Sequence, residues 1–218
     1  LGRAGNFSGA KLKNIENSML NESQREDRFG LLQELNSYQL NSHPGDDNLE
    51  ATISNYELAW RMQTEAPELT DLSKETAATK SIYGIDEKHT DDFGKQCLLA
   101  RRMVERGVRF VSVNYSDESA NPRWDQHGNM PKHADHARAT DKPVAGLLQD
   151  LKARGLLEDT LVWWGGEFGR TPFSQNKDGR DHNPRGFTVF LAGGGIKPGI
   201  SYGSTDEIGG VAVDSRVH

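Results

Sequence analysis

The sequence predicts an α/β fold, a mixed sheet flanked by helices, and three observations carry that expectation. Past the first hundred residues, amphipathic and β-branched runs alternate in the order helix, strand, loop, helix, strand, loop, strand. Crossover helices packed on a sheet produce this alternation. The stretch Thr160–Gly195 holds two segments, L-V-W-W and F-T-V-F-L-A, that are apolar on both faces, as strands covered on both sides are. In chain order, the first two segments read as strands run into loops that hold Asp125, His127, Glu167, Asp181 and His182, and in such sheets chemistry gathers at the carboxyl ends of strands.

Taken in order, residues 1–23 are polar and Gly/Asn-rich with no sustained period, and are read as irregular chain. Residues 24–218 are read as one partial α/β domain, helical over 24–106 and site-bearing over 107–218. Phe29, Leu32, Leu35 and Tyr38 mark a helix from Gln24 to Leu40. Pro44 and Gly45 break it. Leu49, Ile53, Tyr56 and Trp60 mark a second helix that ends near Pro67, and Leu72–Ile82 a third, weaker one. Thr90 is placed to cap a helix Asp92–Arg106, with Asp91 and Asp92 favouring its dipole and Phe93, Cys97, Ala100 and Val104 forming its buried stripe. Val108–Tyr115 reads as a strand. After the loop Ser116–Met130, a helix opening near Thr140 presents Val144, Leu147, Leu148 and Leu151 and stops at Gly155. Pro143 is tolerable there only in a first turn or at a kink.

Composition narrows the function classes. The 218 residues permit one good-sized domain or most of a larger one. A formal net charge of −6 and the lack of a basic stripe argue against a nucleic-acid surface. No apolar run approaches the ~20 residues that a membrane helix needs. A single cysteine, Cys97, rules out an internal disulfide and reads as a small core residue rather than a reactive thiol. The chain opens at Leu1 rather than Met with no signal segment, which predicts an internal piece of something longer.

The residues fit for chemistry are Asp125, His127, Glu167, Asp181 and His182. Imidazole nitrogen with carboxylate oxygen suits zinc, manganese or iron, whereas carboxylates alone suit magnesium or calcium. A His/Asp/Glu set without cysteine points to a catalytic ion with an open position. Asp125 and His127, two apart, project to one side in extended chain, while the adjacent Asp181 and His182 point oppositely, so one of that pair is expected at the ion. Arg170 and Arg180 are placed to clamp an anionic ester, or else to pair with Glu167 or Asp181. Other motifs fail: G-G-G-I-K-P-G lacks the Lys-Ser/Thr ending of a phosphate loop, and no G-x-S-x-G elbow occurs. His133 and His136 lie in a charged stretch and read as solvated.

The runs Y-E-L-A-W-R-M-Q, D-F-G-K-Q-C-L-L-A-R-R-M-V-E-R-G-V-R-F-V, W-D-Q-H-G-N, G-E-F-G-R-T-P, G-R-D-H and L-A-G-G-G-I-K resemble the bacterial family DUF1501, within the alkaline phosphatase/sulfatase-like superfamily. Matching runs extend from Leu31 to Glu207. The resemblance implies a mixed sheet between helices, incomplete at both ends here, with one or two metal ions at the strand ends. It implies hydrolysis or transfer of phosphate or sulfate esters through a Ser, Thr or formylglycine nucleophile carried by an earlier segment that this sequence does not match. Asp125 and His127 look like the first ligand pair, Glu167 stands where many members carry Asp-His or Asp-Asn, and His182 looks like the following ligand. An export signal typical of full-length members implies an extracytoplasmic or periplasmic location.

The expected function is therefore that of a metal-dependent hydrolase of anionic esters, sulfatase- or phosphatase-like. Its substrate would be a small anionic ester or a sulfated or phosphorylated glycan. The alternative is a non-catalytic extracytoplasmic binding or scaffold module that keeps the fold.

Overall fold

A computed structural model describes residues 20–117 and 122–216, the side chains of 62–67 excepted. It mixes helices with short antiparallel strands. The chain divides into two compact units at Asp71 and Leu72.

The first unit holds α1 (Glu22–Ser42) and α2 (Asp47–Thr70). Asn21 starts α1 through a capping box: its Oδ1 accepts from the Gln24 amide at 2.9 Å and the Gln24 Oε1 accepts from the Asn21 amide at 3.0 Å. The predicted face of α1 is not a buried one, since Leu35 is 55% and Tyr38 70% exposed. Phe29 instead stacks flat on Trp60 with ring centroids 4.4 Å apart, and Ile53 is buried. Two helices offer each other one stripe apiece, which is too little apolar cover for either to bury a full face. α2 continues past Pro67 to Thr70, beyond the end that Pro67 suggested.

The second unit is built on α3 (Ala77–Ile82), α4 (Asp91–Glu105) and α5 (His133–Ala153). The expected Leu72–Ile82 helix is split into a 3-10 turn, Leu72–Lys74, and α3, because Thr76 turns its hydroxyl to the Thr79 amide and caps a new start. α4 lies where its stripe placed it, with Phe93, Cys97 and Ala100 buried. Thr90 precedes it without a side-chain capping bond, because its hydroxyl donates to the Gly84 carbonyl at 2.6 Å. Burial pushes the Cys97 thiol up to about 12, so it is an inert core group. α5 opens at His133, a full two turns before Thr140, and Pro143 lies buried inside it. Tyr83, Ile85, Phe93, Cys97 and Leu98 form the core, flanked by Val113, Tyr115, Val144 and Leu147. Glycine lets backbones meet in this core: a Cβ on Gly94 would collide with the Tyr83 carbonyl, and one on Gly146 with that of Ile82.

A charged cluster lies under this core. Arg101, 2% exposed at its side chain, reaches Glu75 at 2.8 Å, Glu105 at 2.6 Å and Asp150 at 2.9 Å. Asp150 also accepts from the buried Tyr83 hydroxyl at 3.0 Å and from Arg154 at 2.7 Å. Desolvation works to raise the Glu75 carboxyl, but hydrogen bonds and charge from Arg102 and Arg101 outweigh it and hold the group below its ordinary 4.5. A depressed carboxylate stabilises the fold above its unfolded value and loses that contribution as pH falls through the folded one. Stability is therefore expected to fall as pH drops below about 4.5, and Glu75→Gln to flatten that limb in urea midpoints taken across pH.

The strands differ from expectation in their partners. β1 (Val162–Trp164) pairs with β4 (Phe190–Ala192), β2 (Gly169–Arg170) with β3 (His182–Asn183), and β5 (Ser204–Thr205) with β6 (Ala212–Asp214), each an antiparallel two-stranded ladder. The apolar segments are not buried: Trp163 is 68%, Trp164 46% and Phe190 45% exposed. A two-faced apolar strand becomes buried only when layers cover both faces, and a lone ladder supplies neither. Val108–Tyr115 runs outside the ladders among the described residues, although Val113 and Tyr115 pack on the core as a strand face would.

Candidate metal centre

Two loops are held together to make the site. The first, 125–129, follows a turn in which Trp124 takes a left-handed backbone, φ 72°. The second, 171–182, returns through a tight turn closed by paired bonds between Gln175 and Gly179, with Asn176 and Lys177 left-handed. The Arg180 amide donates to the Gln126 carbonyl at 3.1 Å and the Asn129 amide to the Asp178 carboxylate at 2.7 Å. Gly179 is required at this seam, because a Cβ there would collide with the His127 carbonyl. Where the second loop ends, the β2–β3 register sets Arg170 opposite His182, so both side chains lie on one face.

The ligand atoms of Asp125, His127 and His182 converge. His182 Nε2 lies 3.0 Å from Asp125 Oδ1, His127 Nε2 lies 3.1 Å from the same oxygen, and the two Nε2 atoms are 3.1 Å apart. Ligand bonds of 2.0–2.1 Å in tetrahedral geometry set neighbouring donors ~3.3 Å apart, so the triangle is nearly the face that one divalent ion would cap. Gln175 Oε1 lies 2.7 Å from His127 Nδ1. That oxygen accepts only from a protonated Nδ1, which leaves the lone pair of a neutral ring at Nε2, facing the triangle. Phe168 packs on the His182 ring at 4.3 Å between centroids.

Arg170 completes the arrangement. Its Nη2 sits 2.7 Å from Asp125 Oδ1, while its Nη1 is buried with no hydrogen-bond partner among the described residues. Burial works to raise the Asp125 carboxyl, but hydrogen bonds from His182 and Arg170 outweigh it and hold the group ionised below the usual carboxylate range. An ionised carboxylate beside two imidazoles suits a cation, and the guanidinium next to it adds a positive charge at the edge of the triangle.

Of the residues singled out from the sequence, the structure brings together Asp125, His127, His182 and Arg170. Asp181 stands at the rim: its Oδ1 is 3.8 Å from His127 Nδ1 and accepts from the His182 amide at 2.8 Å, so of that pair His182 alone joins the triangle. Glu167 is exposed and stands outside the triangle. Arg180 turns to the Gly179 carbonyl at 2.8 Å and to Ser174 Oγ at 3.4 Å rather than to a carboxylate. Gln175, Phe168 and Asp178 were not singled out, since a neutral amide, a ring and a loop acid acquire their roles only once the two loops meet. His133 and His136, read as solvated, are half-buried around Trp124, with ring centroids 5.1 and 5.3 Å from it.

No curated protein and no solved structure matches the chain. A family model does: DUF1501, described as a protein of unknown function, matches residues 4–218. With nearly its whole length matched, the chain belongs to the DUF1501 family.

Proposed function

We propose that this chain carries the metal centre of a hydrolase of anionic esters, sulfatase- or phosphatase-like, and that its fold is a portion of an alkaline-phosphatase-like domain. The observation that carries the reading is the Asp125/His127/His182 triangle with the Arg170 guanidinium beside it, 2.7 Å from Asp125 Oδ1. A donor that cannot ligate a cation, held beside ligands for one, suits a substrate that is itself negative. Zinc, manganese or iron fits two imidazoles and a carboxylate best. A divalent ion bound there supplies Lewis-acid polarisation of an ester oxygen and acidifies water.

The chain's own residues do the remaining work. Gln175 fixes the His127 tautomer, Arg170 holds Asp125 through Nη2 and sets its positive charge beside the triangle, and Phe168 keeps the His182 ring in place. Charge built up on the ester oxygens is offset by that guanidinium. The location proposed is extracytoplasmic, on the family resemblance.

Arg170→Ala is expected to lower kcat/KM on aryl sulfates or aryl phosphates by roughly a hundredfold, the scale for loss of one charge-stabilising donor. Arg170→Lys should recover only part, since an ammonium keeps the charge but not the planar geometry that holds Asp125. Steady-state assays on a protein containing this chain decide it: unchanged kcat/KM in Arg170→Ala would remove the anionic-ester reading.

A further inference from the structure

The helix α1 carries two apolar stripes, and α2 covers one of them. Phe29 lies on the side that meets α2, through its stack on Trp60. At about 100° per residue, Leu31, Leu35 and Tyr38 fall on the side away from Phe29, and all three are more than half exposed. Leu32 beside them is exposed as well. A contiguous apolar stripe of this kind marks an interaction face, and its spacing says what covers it. The steps from Leu31 to Leu35 to Tyr38, four residues and then three, are those of a seam between two packed helices. Arg28 and Ser42 continue the same spacing at its two ends.

The seam matches itself when turned end for end. A twofold axis at Leu35 sets Leu35 against its own copy, Leu31 against Tyr38 and Arg28 against Ser42, whereas a parallel pair would press Arg28 against Arg28. Charge follows the same pattern. Glu22, Arg25, Glu26, Asp27 and Arg28 crowd the first third of α1, and beyond them Glu34 alone is charged. Antiparallel packing lays that charged end along Gln39, Asn41 and Ser42 of the other helix, whose amides and hydroxyl serve either sign. α1 has an acid, Glu22, in its first turn but no base in its last. The negative end of its dipole therefore lacks a cation, and an antiparallel neighbour brings the positive end of another helix to it. Glu34 meets its own copy beside the axis, an exposed like-charge contact of small cost.

We propose that the outer stripe of α1 is a self-association face, on which a second copy of this chain packs antiparallel through Leu31, Leu35 and Tyr38. Four large side chains per copy with their polar flanks give the pair on the order of 1,000 Å² to bury, the lower edge for a specific interface, so the dimer is reversible. The contact owes nothing to the metal centre, and its test stands apart from that of the ester reading. Sedimentation equilibrium on the whole chain, from low micromolar to near-millimolar concentration, is expected to show monomer passing to dimer.

Leu35→Glu, made at an exposed position and checked for an unchanged circular dichroism spectrum, should raise the dimer Kd by roughly tenfold or more, since two added charges meet at the axis. Trp163→Ser, in the exposed β1 ladder, should leave the dimer Kd unchanged. Monomer throughout the range, a dimer that Leu35→Glu leaves intact, or one lost in Trp163→Ser overturns the proposal. Mild oxidation reads the direction of packing, and the native Cys97 is buried and takes no part. Leu35→Cys is expected to link two copies. Arg28→Cys stands seven residues from the axis, so its copies lie about 20 Å apart, beyond the reach of a disulfide. Equal cross-linking by both variants would mean a parallel pair and also overturns the proposal.

Discussion

Replacing His182 with alanine is expected to strip the centre of metal. The triangle offers three donors from the described residues, and loss of even an outer partner of a ligand typically costs 10–100-fold in affinity. Removal of a ligand should therefore cost roughly a hundredfold or more. Elemental analysis after dialysis should find about one equivalent of zinc, manganese or iron on the wild-type chain and little on His182→Ala. His43→Ala is the control, because that histidine caps the end of α1 in the other unit. Equal metal in all three proteins would mean that the ion sits elsewhere, and no metal in any would withdraw the metal centre.

Arg101→Ala is expected to destabilise the second unit by about 3–5 kcal/mol, the cost of breaking a buried pair from one side. The guanidinium faces Glu75, Glu105 and Asp150, and two of these, Glu75 and Asp150, are at most 9% exposed at their side chains. Removal leaves two acids in a low-dielectric site with Arg102 and Arg154 as their remaining cations. Lysine should not rescue well, since one ammonium cannot satisfy three carboxylates in separate directions. Urea denaturation followed by far-UV circular dichroism measures the shift. A change under 1 kcal/mol would show that the cluster is solvated in solution.

What the sequence made legible was local. α4 could be read because Asp91, Asp92 and the Phe93/Cys97/Ala100 stripe all lie within its own turns. Asp125 and His127 could be read as a pair because two-residue spacing fixes a shared side. The partners of strands could not be read, since Val162–Trp164 and Phe190–Ala192 look alike whether they sit in a wide sheet or a lone ladder. Arg101 was overlooked for a different reason: a charge on a helix is ordinarily solvated. Its position four after Cys97 and three after Leu98, on the buried stripe, was the signal. The burial of His133 and His136 depends on Trp124 turning back through a left-handed backbone, and nothing in their own segment announces it.

Two of the proposed ligands, Asp125 and His182, stand 57 residues apart in the chain. Between them lie all of α5 and the β1 and β2 strands. An ion held by both ends acts as a clasp on that long loop, withdrawing from the unfolded chain much of the freedom to separate its ends, and the gain grows only slowly with loop length. Metal and fold would thereby be linked: an ion bound by these side chains would also set how firmly the helix α5 is kept against the rest of its unit.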